Sequence, residues 1–152
     1  MRKNYDGETF PPMGCRSHLS NWKDENGNYK WYGRFNQGVV SLNLVQVALT
    51  ANKDMKKFWE VLDERLDLCR EALMVRHNLL LGTSSDISPI HWQHGGIARL
   101  EKGEKIDPLL KNGYSTLSLG YVGIYEMTQA MLGVSHTTKE GEEFALQVMN
   151  HL

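Results

Sequence analysis

Cys15 is the first residue whose type could carry chemistry, and it lies in the segment 10–17, Phe-Pro-Pro-Met-Gly-Cys-Arg-Ser. The two prolines stiffen the chain ahead of it, and Gly14 gives the backbone a freedom that no other residue has. We therefore expect a loop that presents the thiol at its tip, where it can reach into a cavity. Arg16 favours the thiolate, but the sequence predicts no Cys–His pair. From these residues alone, an incidental loop cysteine remains an equal alternative.

Cys69 and the histidines lead to structural interpretations. Cys69 lies among leucines on an apolar helical stripe, which predicts a buried small hydrophobe. His91 and His94 are three residues apart, a spacing that places both on one helix face, but no third ligand stands at a metal-binding interval. We predict that this segment binds no metal and that the two histidines are structural or line a polar pocket.

Asn36 lies in the glycine-bounded segment 33–38, Gly-Arg-Phe-Asn-Gln-Gly, just before an apolar run. Barrel-type enzymes place polar site residues at such strand entrances, so Asn36 is a candidate site residue. Neither a Walker motif nor a dinucleotide-binding fingerprint is present. The neighbouring aromatic residues are expected in a core or interface and not as a base-stacking platform.

The composition is that of an ordinary globular domain. The chain has 152 residues, 41% of them hydrophobic and 23% charged, with a net charge of −1. The absence of a basic excess argues against a nucleic-acid partner. No apolar stretch is long enough for a transmembrane helix or resembles a secretory signal. Two cysteines form no disulfide framework, so we expect a cytoplasmic protein.

The hydrophobic pattern predicts the elements that must position these residues. Segment 1–30 is expected to be irregular, with a turn at 26–28. A helix over 53–81 has the clearest periodicity, and Gly82 ends it. The remaining elements are a strand at 38–44, a possible short helix at 45–50, short helices after Ser88 and Asp107, a strand at 114–119, a helix at 122–132 and a last helix opened by a Thr137–Glu140 capping box.

Several segments together resemble the anaerobic (class III) ribonucleoside-triphosphate reductases, which are glycyl radical enzymes. The resemblance rests on residues 12–17, 31–38 and 113–121, with support from 63–66 and 92–95, and it covers nearly the whole chain in order. It implies an α/β fold: part of a ten-stranded barrel built from two half-barrels around a finger loop, with long amphipathic helices. On this reading, residues 1–152 form one partial catalytic barrel domain, with the finger-loop region at 1–30 and a half-barrel segment at 31–152.

The resemblance also assigns roles. Cys15 matches the finger-loop cysteine that becomes a thiyl radical and abstracts the 3′ hydrogen of the ribose of a ribonucleoside triphosphate. Met13 and Gly14 would shape the loop tip against the sugar. Asn36 matches an asparagine that hydrogen-bonds the ribose hydroxyl region or formate, the usual reductant.

Other parts of the family pattern have no match in this sequence. They are the C-terminal radical glycine, the four-cysteine zinc site, the partner cysteine and the nucleotide-sensing regions. The glycyl radical, the iron–sulfur S-adenosylmethionine activase that installs it, the zinc site and a homodimer interface would therefore belong to a longer parent. We expect the chain to be an internal fragment and to be inactive by itself.

Two alternatives stay open at the level of the sequence. One is another glycyl radical enzyme, similar to a formate lyase and acting on acyl substrates. The other is a non-catalytic interaction module, or relic half-barrel, in which replacement of Cys15 would leave the biological role intact.

Overall fold

The computed structural model describes residues 19–152 in full and residues 2–3 and 9–10 by their backbone. The chain is mixed α/β. Its elements are the strands β1 (Arg2–Lys3), β2 (Thr9–Phe10), β3 (Asn36–Asn43) and β4 (Thr116–Val122), and the helices α1 (Leu44–Ala51), α2 (Met55–Leu80), α3 (Pro89–Trp92), α4 (Ile124–Leu132) and α5 (Lys139–His151), with 3₁₀ helices at Ser85–Ile87 and Asp107–Leu110.

Strands β3 and β4 form a two-stranded parallel sheet. Where the pairing begins, the amide of Thr116, the first residue of β4, donates to the carbonyl of Phe35, the residue before β3, over 3.1 Å. Parallel strands need a long crossover, and here residues 44–115 supply it with helices α1, α2 and α3. A second, antiparallel pair joins β1 to β2, with Arg2 opposite Phe10.

The chain divides into two compact units. Unit 1 contains the described residues up to Val39 together with Ala72–Leu119, and unit 2 contains Val40–Glu71 and Gly120–Leu152. The core of unit 1 combines apolar side chains with buried polar ones. Its buried residues are Leu19, Arg34, Ser85, Ile106, Leu109, Leu110, Tyr114 and Ser115.

Unit 2 has an almost wholly apolar core around Phe58. The ring of Phe58 packs against Phe144 at a centroid distance of 5.2 Å and against the edge of Trp59 at 5.3 Å. Helix α1 packs against α4, and α4 against α5. Its fully buried side chains are Leu44, Val47, Phe58, Leu62, Met127, Thr128 and Val148.

The sequence predicted the longer elements correctly. Helix α2 lies within the predicted range 53–81, and Gly82 follows it with a φ of +75°. The ambiguous segment at 45–50 belongs to helix α1. Asn43 caps the N-terminus of this helix: its side-chain oxygen accepts a hydrogen bond from the Gln46 amide over 3.2 Å. Asp107 opens a short 3₁₀ helix, and the turn at 26–28 is present, with Gly27 at a φ of +79°.

Other local predictions were wrong. Segment 1–30 is not irregular throughout, because it contains β1 and β2. The cap of α5 is Thr138, whose hydroxyl accepts from the Gly141 amide over 3.2 Å, so the predicted capping box at Thr137 does not form. The helix predicted from about Val122 to Leu132 is present as α4 and Gly133 ends it as predicted, but it begins at Ile124, because β4 runs on to Val122.

Helix α3 ends at Trp92, so His91 and His94 do not share a helix face as their spacing suggested. None of the helices among the described residues is long and apolar enough to cross a membrane.

Two glycines at the ends of α4 allow a controlled test of the packing of unit 2. Gly123 (φ +93°) and Gly133 (φ +76°) are both left-handed, but a Cβ on Gly123 would collide with Val45, whereas one on Gly133 would meet open space. We expect Gly133→Ala to lower the free energy of unfolding by about 1 kcal/mol. Gly123→Ala should lower the free energy of unfolding by about 3 kcal/mol, because the collision of the new Cβ with Val45 adds to the backbone strain. Urea unfolding of both variants measures these free energies. An equal loss of stability in the two variants would contradict the contact between Gly123 and Val45.

Candidate functional site

The side-chain amide of Asn36 is held from three directions at the start of β3. Its Nδ2 donates to Thr116 Oγ1 over 3.0 Å and to Ser118 Oγ, while its Oδ1 accepts from the Gly38 amide over 2.8 Å. Thr116 and Ser118 are two residues apart on β4, so their hydroxyls lie on one face of the strand. Both Asn36 amide hydrogens are used, and the orientation of the amide is fixed.

The groups that remain free define what this cluster can do. The Asn36 carbonyl oxygen has a second lone pair, and the Thr116 and Ser118 hydroxyls accept from Asn36 and can still donate their own protons. Within the described part of the chain, neither hydroxyl has a second partner. The cluster is thus neutral and offers two hydroxyl donors, together with one free acceptor lone pair on each hydroxyl and one on the Asn36 carbonyl. It can orient a hydroxyl group or a small carboxylate, but it contains no base that could take a proton.

Gln37 lies next to Asn36 in β3 and therefore on the opposite face, where its amide is also fully engaged. Its Nε2 donates to the Leu110 carbonyl over 3.0 Å and to Ser115 Oγ over 2.7 Å. Its Oε1 lies 2.8 Å from His77 Nδ1. Because an amide oxygen can only accept, Nδ1 of His77 carries the hydrogen. Gln37 therefore ties β3 to helix α2 and to the loop before β4.

Arg34 is a buried cation that joins the segments leading into both strands. Its side chain is 6% exposed. Its Nε donates to the Tyr114 carbonyl over 2.7 Å, Nη2 to the Gly113 carbonyl over 2.8 Å, and Nη1 to the Ser20 carbonyl over 2.7 Å. Burial lowers the pKa of the guanidinium below its ordinary value. We call this set of contacts the Arg34 clamp.

The structure covers only part of the predicted site. Cys15, Met13 and Gly14 lie outside the described residues, so their proposed roles stay predictions. Asn36 is where the sequence predicted it, at a strand entrance. Sequence reasoning assigned no role to Thr116 or Ser118. Their alternation with leucines predicted a strand with one polar face. That polar face was the feature of the sequence that could have marked the two hydroxyls as site residues.

The other candidates occupy structural positions. Cys69 is buried on α2, and burial raises the pKa of its thiol. His91 Nδ1 lies 2.7 Å from Ser88 Oγ. Within residues 19–152, no three histidine, cysteine or carboxylate side chains gather as a metal site would require.

Comparison with known proteins identifies the family. The model of the family described as anaerobic ribonucleoside-triphosphate reductase matches residues 1–152. The chain belongs to this family. It is 44% identical over 140 residues to the anaerobic ribonucleoside-triphosphate reductases of Salmonella typhimurium and Escherichia coli, a match that covers 88% of this chain and 20% of each relative.

The reductase of phage T4 is 46% identical over 132 residues, covering 82% of this chain and 22% of that protein. The chain therefore spans about one fifth of the length of the curated reductases it matches.

The fixed orientation of Asn36 can be tested by removing its acceptors. In a Thr116→Val, Ser118→Ala double variant, both Asn36 amide hydrogens lose their partners. We expect the free energy of unfolding to fall by about 2 kcal/mol, since a half-buried unsatisfied donor carries a desolvation cost. Thr50→Val, at an exposed position on α1, is the control and should change it by less than about 0.5 kcal/mol. Chemical denaturation measures both, and a double variant as stable as the control would show that the hydroxyls do not hold Asn36.

Proposed function

We propose that this chain supplies part of the catalytic barrel of an anaerobic ribonucleoside-triphosphate reductase, which converts ribonucleoside triphosphates to deoxyribonucleoside triphosphates. The family match over residues 1–152 is the observation that carries the proposal. The ten-stranded barrel and its finger loop belong to the proposal. The two-stranded parallel sheet of β3 and β4 is compatible with one section of such a barrel.

Cys15 is proposed as the residue that starts the reaction. As a thiyl radical, its sulfur takes the hydrogen atom from C3′ of the ribose, so that an S–H bond forms, the C3′–H bond breaks and the unpaired electron moves to C3′. Sulfur suits this exchange because it carries an unpaired electron and trades hydrogen with carbon without a large mismatch in bond energy. Met13 and Gly14 would shape the loop tip that brings the sulfur to the sugar.

Asn36 is proposed to orient the reacting groups. Because its amide hydrogens are bound to Thr116 and Ser118, it would act through its free carbonyl lone pair, while the two hydroxyls donate to the ribose hydroxyl region or to formate. Formate is proposed as the two-electron reductant: one formate and one proton are consumed, formate is oxidised to carbon dioxide, the 2′ hydroxyl group leaves as water, and a C2′–H bond replaces the broken C2′–O bond. A neutral cluster is suited to hold these groups without deprotonating them.

The remaining requirements are assigned to a longer parent protein in the cytoplasm. The stored glycyl radical, the radical S-adenosylmethionine activase that installs it, the zinc site and a homodimer interface would all come from outside these 152 residues. The chain alone is then inactive, and it needs neither a nucleic acid nor a membrane partner. The named relatives favour a nucleotide substrate over the acyl substrates of a formate-lyase-like enzyme.

The two cysteines provide a matched pair of variants for testing the role of Cys15. In the anaerobically activated parent protein, we expect Cys15→Ala to abolish formation of deoxyribonucleotides, because no thiyl radical could then form at the position that faces the C3′ hydrogen. Cys69→Ala replaces a buried thiol on α2 by a small apolar side chain and should retain most of the activity. Deoxyribonucleotide yield, measured with formate and each triphosphate, distinguishes the two variants.

Three results would contradict the proposal. The first is a Cys15→Ala protein that still forms deoxyribonucleotides, which would place the hydrogen abstraction elsewhere. The second is an intact biological role after replacement of Cys15, which would favour a non-catalytic module. The third is activity of the purified 152-residue chain, which would overturn the need for a longer parent.

A further inference from the structure

Unit 1 contains a cavity whose described lining includes none of the residues of the Asn36 cluster. It encloses about 470 Å³ and is lined by Lys30, Tyr32, Gly33 and residues 95–99. We call it the basic cavity. Its volume lies in the range of small-molecule sites, roughly 300–1,000 Å³.

The charges that the described residues bring to the lining of the basic cavity all have one sign. Lys30 and Arg99 are the only ionisable side chains in this described lining apart from Tyr32, and it contains no carboxylate. Among the residues that the structure describes, neither cation forms an ion pair. Two cations that share a concave surface without a carboxylate create a local positive potential, which attracts anions.

Lys30 is held in place by the aromatic residues around it. Its Nζ lies 3.1 Å from the Tyr114 hydroxyl oxygen and 5.0 Å from the centroid of the Tyr114 ring. The Tyr114 hydroxyl donates its own proton to the Gly33 carbonyl over 2.7 Å and therefore accepts from Lys30. An ammonium group has three donors, so Lys30 retains two for a ligand.

Arg99 is positioned by a glycine. Gly95 has a φ of +91°, and a Cβ there would lie 2.9 Å from Arg99 Nη2, so the guanidinium lies over the bare Cα. Backbone hydrogen bonds fix the loop: the Gly95 amide donates to the Ala98 carbonyl over 2.9 Å, and the Leu100 amide to the Trp92 carbonyl over 2.8 Å. No described side chain uses the guanidinium donors, which match the geometry of phosphate oxygens.

We propose that the basic cavity binds the phosphate groups of a nucleoside triphosphate. Lys30 supplies a point charge and Arg99 a planar set of donors, a combination suited to a polyphosphate that carries several negative charges. Tyr32, which is 79% exposed, lines the same cavity, and the Lys30 Nζ lies 5.6 Å from the centroid of its ring. The choice of a nucleotide over another phosphate compound rests on the proposed function, whereas the anion site itself rests on the cavity.

The proposal is tested by calorimetric titration of inorganic tripolyphosphate into the parent protein, without activation or turnover. We expect Arg99→Glu to weaken binding at least about tenfold, because it replaces a cation in the cavity by an anion. Lys57→Glu makes the same change of charge at an exposed position on α2, and we expect it to alter the affinity less than twofold. Lys30→Gln should also weaken binding, with circular dichroism to confirm that it folds.

Competition identifies the ligand. A ribonucleoside triphosphate should displace tripolyphosphate, and the matching nucleoside should not. Failure of the wild-type protein to bind tripolyphosphate, or equal losses in Arg99→Glu and Lys57→Glu, would overturn the anion site. Binding of tripolyphosphate that a nucleoside triphosphate does not displace would overturn the nucleotide assignment. Because no step requires a radical, these results are independent of the outcome of the Cys15 experiment.

Discussion

The buried guanidinium of Arg34 is the interaction on which the geometry around Asn36 depends. It binds main-chain carbonyls of Ser20, Gly113 and Tyr114, which belong to segments distant in sequence. Arg34 lies two residues before Asn36, and Tyr114 lies two residues before Thr116, so the clamp joins the chain just ahead of both strands. Loss of the guanidinium would leave these buried carbonyls without hydrogen-bond donors. Unsatisfied buried acceptors lower the stability of the folded state.

The pairing of β3 with β4 brings the amide of Asn36 to the hydroxyls of Thr116 and Ser118. The resulting cluster is neutral and fixed, while Gln37 secures the other face of the same strand. Such a cluster suits a reaction in which hydrogen atoms move and in which an untimely proton transfer would be harmful. The absence of a base from this cluster is compatible with the radical chemistry at a ribose that we propose.

Local patterns in the sequence predicted the elements but not the contacts between them. The apolar stripe of α2 and the burial of Cys69 could be predicted because helical periodicity is a local property. The partners of Asn36 could not, since they are about 80 residues away in the chain and depend on strand pairing. The cap of α5 was predicted at Thr137 and not at Thr138 because two adjacent threonines are nearly equivalent N-cap candidates in the sequence. The role of Cys15 came from the family resemblance, and the described residues do not test it.

The measurement that tests the central claim most directly is a competition between substrates with hydrogen and deuterium at C3′. The activated parent protein would convert a mixture of the two triphosphates to partial completion, and mass spectrometry would read the isotope ratio of the remaining substrate. We expect that substrate to be enriched in deuterium, because the proposed thiyl radical at Cys15 would break a C3′–H bond faster than a C3′–deuterium bond. If conversion is efficient but the isotope ratio of the remaining substrate does not change, breakage of the C3′–H bond is not the isotope-sensitive step. That result would contradict the account.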